Sequence, residues 1–252
     1  MQIRYSSILN ILSKEKRVTV TDLSKALNVS EVTVRKDLLE LENRGLLKRG
    51  HGFATLVNSD DVSNRLTFNY ELKHRIAQKA LESIIDGETI MIESGSCCAL
   101  LADEVVKNRK DITIITNSVF IANFIRNNPN AHVILLGGEF QNESQVMVGP
   151  LIKICVSNFH VNKIFIGTDG FNERGAMSGD LMRAEAVREM SENANQTVIL
   201  TESKKFTQIG VVSLLTYDKI SSIYTDDQIE ESAIKNLQSK NIKLFTVPKV
   251  GQ

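Results

Sequence analysis

Two groups of residues in this chain have types and spacings that could do chemistry. The first lies in Val29-Ser30-Glu31-Val32-Thr33-Val34-Arg35-Lys36-Asp37-Leu38. Ser30 can accept from the free amides of a helix's first turn, and Val34, Leu38 and Leu41 recur at helical spacing, so one face is buried. Thr33, Arg35, Lys36 and Asp37 then point outward. A hydroxyl and two adjacent cations on an exposed face suit the base edges and phosphates of a DNA major groove. The second group is small and polar and follows short apolar runs: Glu93-Ser94-Gly95-Ser96-Cys97-Cys98, Thr116-Asn117-Ser118, Gly137-Gly138-Glu139, Gly167-Thr168-Asp169-Gly170 and Thr201-Glu202-Ser203-Lys204-Lys205. A loop such as Gly95-Ser96-Cys97, opening a helix, offers backbone amides and a positive dipole end to an anion, with phosphate the natural guest. Ser96 adds a hydroxyl donor, Asn117 and Ser118 suit sugar hydroxyls, and Lys205 supplies a full positive charge.

Such residues need elements to hold them. Ile3 to Leu12 reads as a first helix, with Ile8, Leu9, Ile11 and Leu12 as its apolar surface, and Val18 to Leu27 as a second, ended by the turn Asn28-Val29. Two helices joined by about four residues match the helix-turn-helix connection. Asn43-Arg44-Gly45 is a stop for the third helix. Leu46-Leu47-Lys48-Arg49, the turn Gly50-His51-Gly52 and the run Phe53 to Val57 then read as a basic, two-stranded wing. On this plan the nucleic-acid contacts are Thr19 and Thr21 at the start of the second helix, Ser30, Thr33, Arg35 and Lys36 on the third, and Lys48, Arg49 and His51 on the wing.

The polar, turn-rich stretch Asn58 to Asn64 reads as the start of a linker, which divides the chain into a DNA-binding domain at 1–58, a linker at 59–70 and an α/β domain at 71–252. Leu72, Ile76, Ala77, Ala80, Leu81, Ile84 and Ile85 form the apolar stripe of a helix that opens the second domain. Apolar runs at 89–92, 112–115, 132–136, 163–166 and 197–200 then alternate with helical patterns near 98–107, 118–127, 150–159 and 181–195. Weaker strands at 223–224 and 243–247 flank a helix near 228–239. This alternation predicts a mostly parallel sheet with helices on both faces. Ligands of such sheets bind beyond the carboxyl ends of the strands, where the five polar loops converge.

A chain of 252 residues with 42% hydrophobic and 24% charged residues can bury a sizeable core. The formal net charge is zero, but residues 1–58 hold 10 Lys and Arg against 6 Asp and Glu, and the remainder 20 against 24. A basic end on an acidic body directs DNA to one part of the molecule. No apolar run approaches the roughly 20 residues that span a bilayer, and Met1 to Asn10 lacks the apolar stretch of a secretory signal, so a cytoplasmic protein with no membrane partner is expected. Cys97, Cys98 and Cys155 have no paired spacing, and the histidines at 51, 74, 132 and 160 are scattered. Neither a disulfide framework nor a metal site is indicated. A helix amino end lowers a thiol's pKa, which would make Cys97 and Cys98 redox candidates. The alternative is that two small residues fill the turn, since adjacent cysteines are poorly placed to bridge.

Val29 through Leu38 resembles the DeoR family of bacterial transcriptional regulators, whose pattern is Val-Ser, two free positions, Thr, a β-branched residue, Arg, a second basic residue, Asp and Leu. The wing pattern is met at 45–54, except that Phe53 replaces the second glycine of a Gly-Gly pair. The likeness covers nearly the whole chain. The family's Thr-Asn-Ser stands at 116–118, its Gly-Gly at 137–138 and its Glu-Ala at 185–186. Its phosphate loop Asp-x-Gly-Thr-Thr appears as Glu93 to Cys97, and its Asp-x-Ser-Lys-Phe as Glu202 to Phe206. The resemblance implies a winged helix-turn-helix domain followed by a Rossmann-like, mostly parallel α/β sensor domain related to sugar-phosphate isomerases. It further implies a repressor of carbohydrate genes that binds double-stranded operator DNA and a phosphorylated sugar as effector, with no cofactor. The implied effector residues are Glu93, Gly95, Ser96, Cys97, Asn117, Ser118, Gly138, Asp169 and Lys205. Glu93 and Glu202 in place of Asp, and Cys97 in place of a hydroxyl residue, imply an effector unlike the commonest ones. One recognition helix reads only a few base pairs, so a homodimer or homotetramer is expected. The alternative is a sugar-phosphate isomerase carrying a DNA-binding module, with Glu93, Asp169 and Glu202 as candidate acid and base. A shared fold does not confer activity, and the expectation is that the chain is not an enzyme.

Overall fold

The computed structural model describes residues 2–56 and 62–248 of a chain that divides into two units, Met1–Glu71 and Leu72–Gln252. The first runs α1 (Gln2–Glu15), β1 (Arg17–Thr19), α2 (Val20–Leu27), α3 (Glu31–Asn43), β2 (Lys48–Gly50), β3 (Phe53–Thr55) and α4 (Val62–Thr67). Ile8, Leu9, Leu12, Leu23, Val34, Leu38 and Leu41 are its core. Thr19 and Ser30 cap α2 and α3, accepting from the amides of Asp22 at 3.1 Å and Thr33 at 3.2 Å. Each such cap is worth about 1 kcal/mol.

Three expectations change here. Val18 and Thr19 do not join the second helix: with Arg17 they pair antiparallel with β3, so the wing has three strands in the order β1-β3-β2. The β-branched residues Val18 and Thr19 favour this pairing over a helix turn, and Val18 is buried by it. Asp37 does not point outward. It is 2% exposed, and Arg4 donates to it through Nε and, at 2.9 Å, through Nη2, tying α1 to α3. Finally, α4 stands where a linker was expected, because Val62 and Leu66, one turn apart, are both fully buried. Val57, Asn58 and the first linker residues 59–61 lie outside the described residues.

The wing's departure at Phe53 has a partner in Gly50. A Cβ on Gly50 would lie 2.1 Å from Phe53 Cζ, so the ring occupies the space a side chain would need. The guanidinium of Arg17 lies over the ring, 3.6 Å from its centroid, a cation–π contact within the wing.

The second unit takes in most of α5 (Tyr70–Leu81) and continues β4 (Thr89–Ile92), α6 (Ser96–Asn108), β5 (Thr113–Thr116), α7 (Val119–Ile125), β6 (His132–Leu135), β7 (Glu139–Gln141), β8 (Val146–Val148) and α8 (Pro150–Val156). Then come β9 (Val161–Ile166), β10 (Gly170–Phe171), β11 (Gly175–Ser178), α9 (Leu181–Glu192), β12 (Ala194–Leu200), β13 (Val212–Thr216), β14 (Ser222–Asp226), α10 (Glu231–Ser239) and β15 (Lys243–Val247). Seven strands form one sheet in the order β15-β14-β12-β9-β4-β5-β6, every neighbouring pair parallel. The winding reverses between β4 and β9, which makes their carboxyl ends the topological switch point where ligands of doubly wound sheets bind. The hairpin β7–β8 and the antiparallel sheet β10-β11-β13 are additions that short, glycine-punctuated runs did not announce. Among the described residues no helix is long and apolar enough to cross a membrane.

Candidate nucleic-acid interface and ligand site

On α3 the outward residues are Val32, Arg35, Lys36 and Leu39. Glu31 accepts the Thr21 hydroxyl at 2.7 Å and Arg35 Nη2 at 2.8 Å, which holds its carboxyl below the usual range. The Thr33 and Ser30 hydroxyls bond each other at 2.9 Å, and the Thr19 hydroxyl donates to Asp22 at 2.6 Å. The four expected hydroxyl contacts are therefore already engaged within the unit. The expected cations remain at the surface: Lys36 and Lys48 are exposed, while Arg49 donates through Nε to Glu42 at 2.6 Å. Arg35, Arg49 and His51 line a cleft of about 540 Å³ between α3 and the wing, together with Leu38, Glu42 and Phe53. The cations on its rim suit a polyanion's backbone.

At the switch point of the second unit, Glu93 accepts from the Gly167 amide at 3.3 Å, joining the loops after β4 and β9. Helix α6 starts beside them with Gly95 at its cap position, which brings no side chain to accept from the first-turn amides. Those donors and the helix dipole are what an anion would use. Ser94 Oγ and Asn117 Oδ1 are buried without a hydrogen-bond partner. Asn117 donates through Nδ2 to the Met147 carbonyl at 3.0 Å, which fixes the amide and leaves its oxygen as a waiting acceptor.

Other expected residues have local duties. Ser118 is fully buried and caps α7, accepting from the Ile121 amide at 3.2 Å. Gly138 is required by close approach, since a Cβ there would lie 2.5 Å from the Val148 carbonyl oxygen. Asp169 accepts from the Gly179 amide at 2.8 Å and lies 3.7 Å from Arg183. Lys205 is half-buried in the short 3-10 helix Ser203–Thr207.

Charge gathers around Cys97, and two of its sources, Lys73 and Asp226, are residues the motifs did not single out. Lys73 on α5 is 3% exposed and lies 3.6 Å from Glu202, which also pairs with Lys204 at 3.1 Å. Burial pushes the Lys73 ammonium down, and Glu202 pulls it part of the way back. Asp226 accepts from the Ser203 amide at 2.8 Å and its hydroxyl at 2.7 Å, holding the end of β14 to the loop after β12. One signal could have found Lys73: it lies three and four residues before Ile76 and Ala77, on the buried face of its own helix. For the cysteines, burial works against the activating effect of the helix end. Burial raises the Cys97 thiol to about 12 and Cys98 well above its ordinary value, so desolvation outweighs the helix end and both stay protonated at neutral pH.

A winged helix-turn-helix unit with a basic outer face, followed by a doubly wound sheet with an uncapped helix at its switch point, defines a DNA-binding regulator with a sensor domain. The chain belongs to the DeoR family: residues 4–60 match the DeoR-like helix-turn-helix domain and residues 68–227 the DeoR C terminal sensor domain. It is 30% identical to the HTH-type transcriptional regulator GolR of Listeria innocua, over 95% of this chain and 96% of that one. The L-fucose operon activator of Haemophilus influenzae is 27% identical over 96% and 98%, and the lactose phosphotransferase system repressor of Streptococcus mutans 28% identical over 92% and 94%. Among solved structures, ribose 5-phosphate isomerase from Methanocaldococcus jannaschii aligns at 19% identity and TM-score 0.41, covering 55% of each chain, and nothing about reaction or substrate follows from so distant a likeness.

Proposed function

We infer that this regulator represses genes of carbohydrate metabolism from the cytoplasm, as a homodimer or homotetramer, and that a phosphorylated sugar at the β4/β9 switch point controls its hold on operator DNA. The observation that carries the reading is the amino end of α6, where the cap residue Gly95 supplies no side-chain acceptor, together with the buried ammonium of Lys73 and the partnerless oxygens Ser94 Oγ and Asn117 Oδ1. The phosphate would take the amides of Ser96 and Cys97, with Lys73 and Lys205 as cations. Asn117 would meet a sugar hydroxyl, and Glu93 and Asp169 would border the sugar. Support for the class of gene comes from relatives named for fucose and lactose systems. Those two names carry opposite signs of control, so transcription from the operator, with the chain present and absent, reads the sign directly.

A non-catalytic role is supported by the state of the candidate carboxylates. Glu93 is held by the Gly167 amide, Asp169 by the Gly179 amide, and Glu202 by two lysines. Turnover of ketose or aldose phosphates that Glu93→Gln abolishes would overturn it. The effector is found by thermal shift against phosphorylated sugars, where a ligand at about 100 times its Kd adds roughly 2.7 kcal/mol. Coupling to operator should then be about 5–150-fold in affinity. Lys205→Ala should lose effector response and keep effector-free operator binding, and Arg35→Ala should do the reverse. A wild-type response from Lys205→Ala removes that residue from the site.

A further inference from the structure

Val32, the second residue of α3, is 77% exposed. Nothing within the unit asks for a valine there, since a β-branched residue is a weaker helix former than most and this one buries almost no surface. Its neighbours are committed: Glu31 holds Thr21 and Arg35, and the Thr33 hydroxyl bonds Ser30. Arg35 and Lys36 follow three and four residues later, on the same face. The amino-terminal turn of a recognition helix is the part that reaches base edges. Here that turn presents an isopropyl group which can neither donate nor accept. Every base pair shows hydrogen-bonding groups in the major groove, but the one methyl group there is the C5-methyl of thymine.

The geometry points to Val32 as a specificity-determining residue that packs its isopropyl group on a thymine methyl in each half-site. The assignment rests on α3 being the helix that enters the major groove. Leu39, 43% exposed, continues the same stripe, but it lies two turns further along and away from the end that meets the bases.

The test uses the full chain and the duplex it selects from a random pool. Each thymine is replaced in turn by deoxyuridine, which removes the methyl and nothing else. Wild type should lose about fourfold in affinity at one thymine per half-site, the effect of one buried methyl-sized group. Val32→Ala should melt at the wild-type temperature, bind the parent duplex more weakly by a similar factor, and bind equally well with thymine or deoxyuridine at that position. The proposal is overturned if no replacement weakens wild type, or if Val32→Ala responds to every replacement as wild type does. Arg35→Ala then separates the two readings. If it still loses affinity and base preference, only the role of Val32 falls; if it binds as wild type does, the placement of α3 in the groove falls with it.

Discussion

The ion pairs beside the two candidate sites stand in opposite surroundings. Arg35 and Glu31 on α3 are 56% and 41% exposed, and Arg49 and Glu42 beside the wing 36% and 33%, whereas Lys73 and Glu202 in the sensor unit are 4% and 7% exposed. Exposed pairs contribute roughly 0–1 kcal/mol and part easily. An arginine held so loosely can exchange its carboxylate for a phosphate or a guanine edge at little cost, while the pair keeps it extended over the surface until DNA arrives. A buried pair cannot part so cheaply, because either charge left alone in the interior is strongly disfavoured. On the proposed reading, an anion entering beside Cys97 would meet an ammonium already matched by Glu202, and would have to offer Lys73 as much as Glu202 does. The reading head is a finished surface, and the sensor is a balanced interior that a ligand has to rebalance.

The comparison breaks first at Glu202. Glu202→Ala should cost the sensor unit about 3–5 kcal/mol in denaturant unfolding, because it takes the paired carboxylate from a buried ammonium, and Lys73→Met combined with Glu202→Leu should recover most of that. If the single change costs less than about 1 kcal/mol, the interior is wetter than the burial of Lys73 implies. Asp37→Ala tests the one buried carboxylate among the described residues of the first unit. Its partner Arg4 can still reach water at 28% exposure, so a loss of about 1.5–3 kcal/mol is expected, with operator affinity falling only as far as folding does.

Arg35→Ala should cost about 1–3 kcal/mol at the operator and relax base preference, with no change in melting temperature, since its pair with Glu31 contributes little. Lys48→Ala should weaken all duplexes alike and reduce the slope of log affinity against log salt by about 0.9. A base-selective effect from Lys48 would place the wing against base edges rather than phosphates. The smallest effect is chemical. At neutral pH Cys155, which is half-buried, should be alkylated in the native chain before Cys97 and Cys98, whose thiols burial keeps protonated. Because the folded Cys97 thiol titrates near 12, above its ordinary value of 9.0, the stability it contributes is complete below about 9 and is lost as pH rises toward 12. Rapid native labelling of Cys97 at pH 7 would show that the loop opens.

Sequence by itself determined the parts of this protein that depend on local spacing. The capping serine at 30 and the stripe Val34, Leu38, Leu41 specify α3, and Asn28 supplies the left-handed turn that ends α2. The apolar runs, bounded by Gly, Asn and Ser, locate all seven strands of the parallel sheet to within three residues at each end. Patterns of this kind are read within a few residues of themselves, so no distant partner is needed to interpret them. Tertiary structure decided whatever depends on a partner far along the chain. Arg17 to Thr19 became a strand because β3 was there to pair with it, and Asp37 turned inward because Arg4, 33 residues away, met it. Gly50 and Phe53 are a matched pair only once the hairpin closes. Lys73 can be placed on a buried helix face by spacing, but its partners appear only when the sheet brings Glu202 and Cys97 to it, and the same closure keeps two helix-end thiols protonated. The physical reason is common to these cases: burial and charge pairing are set by what surrounds a group in space, and for these residues the surroundings come from other segments of the chain.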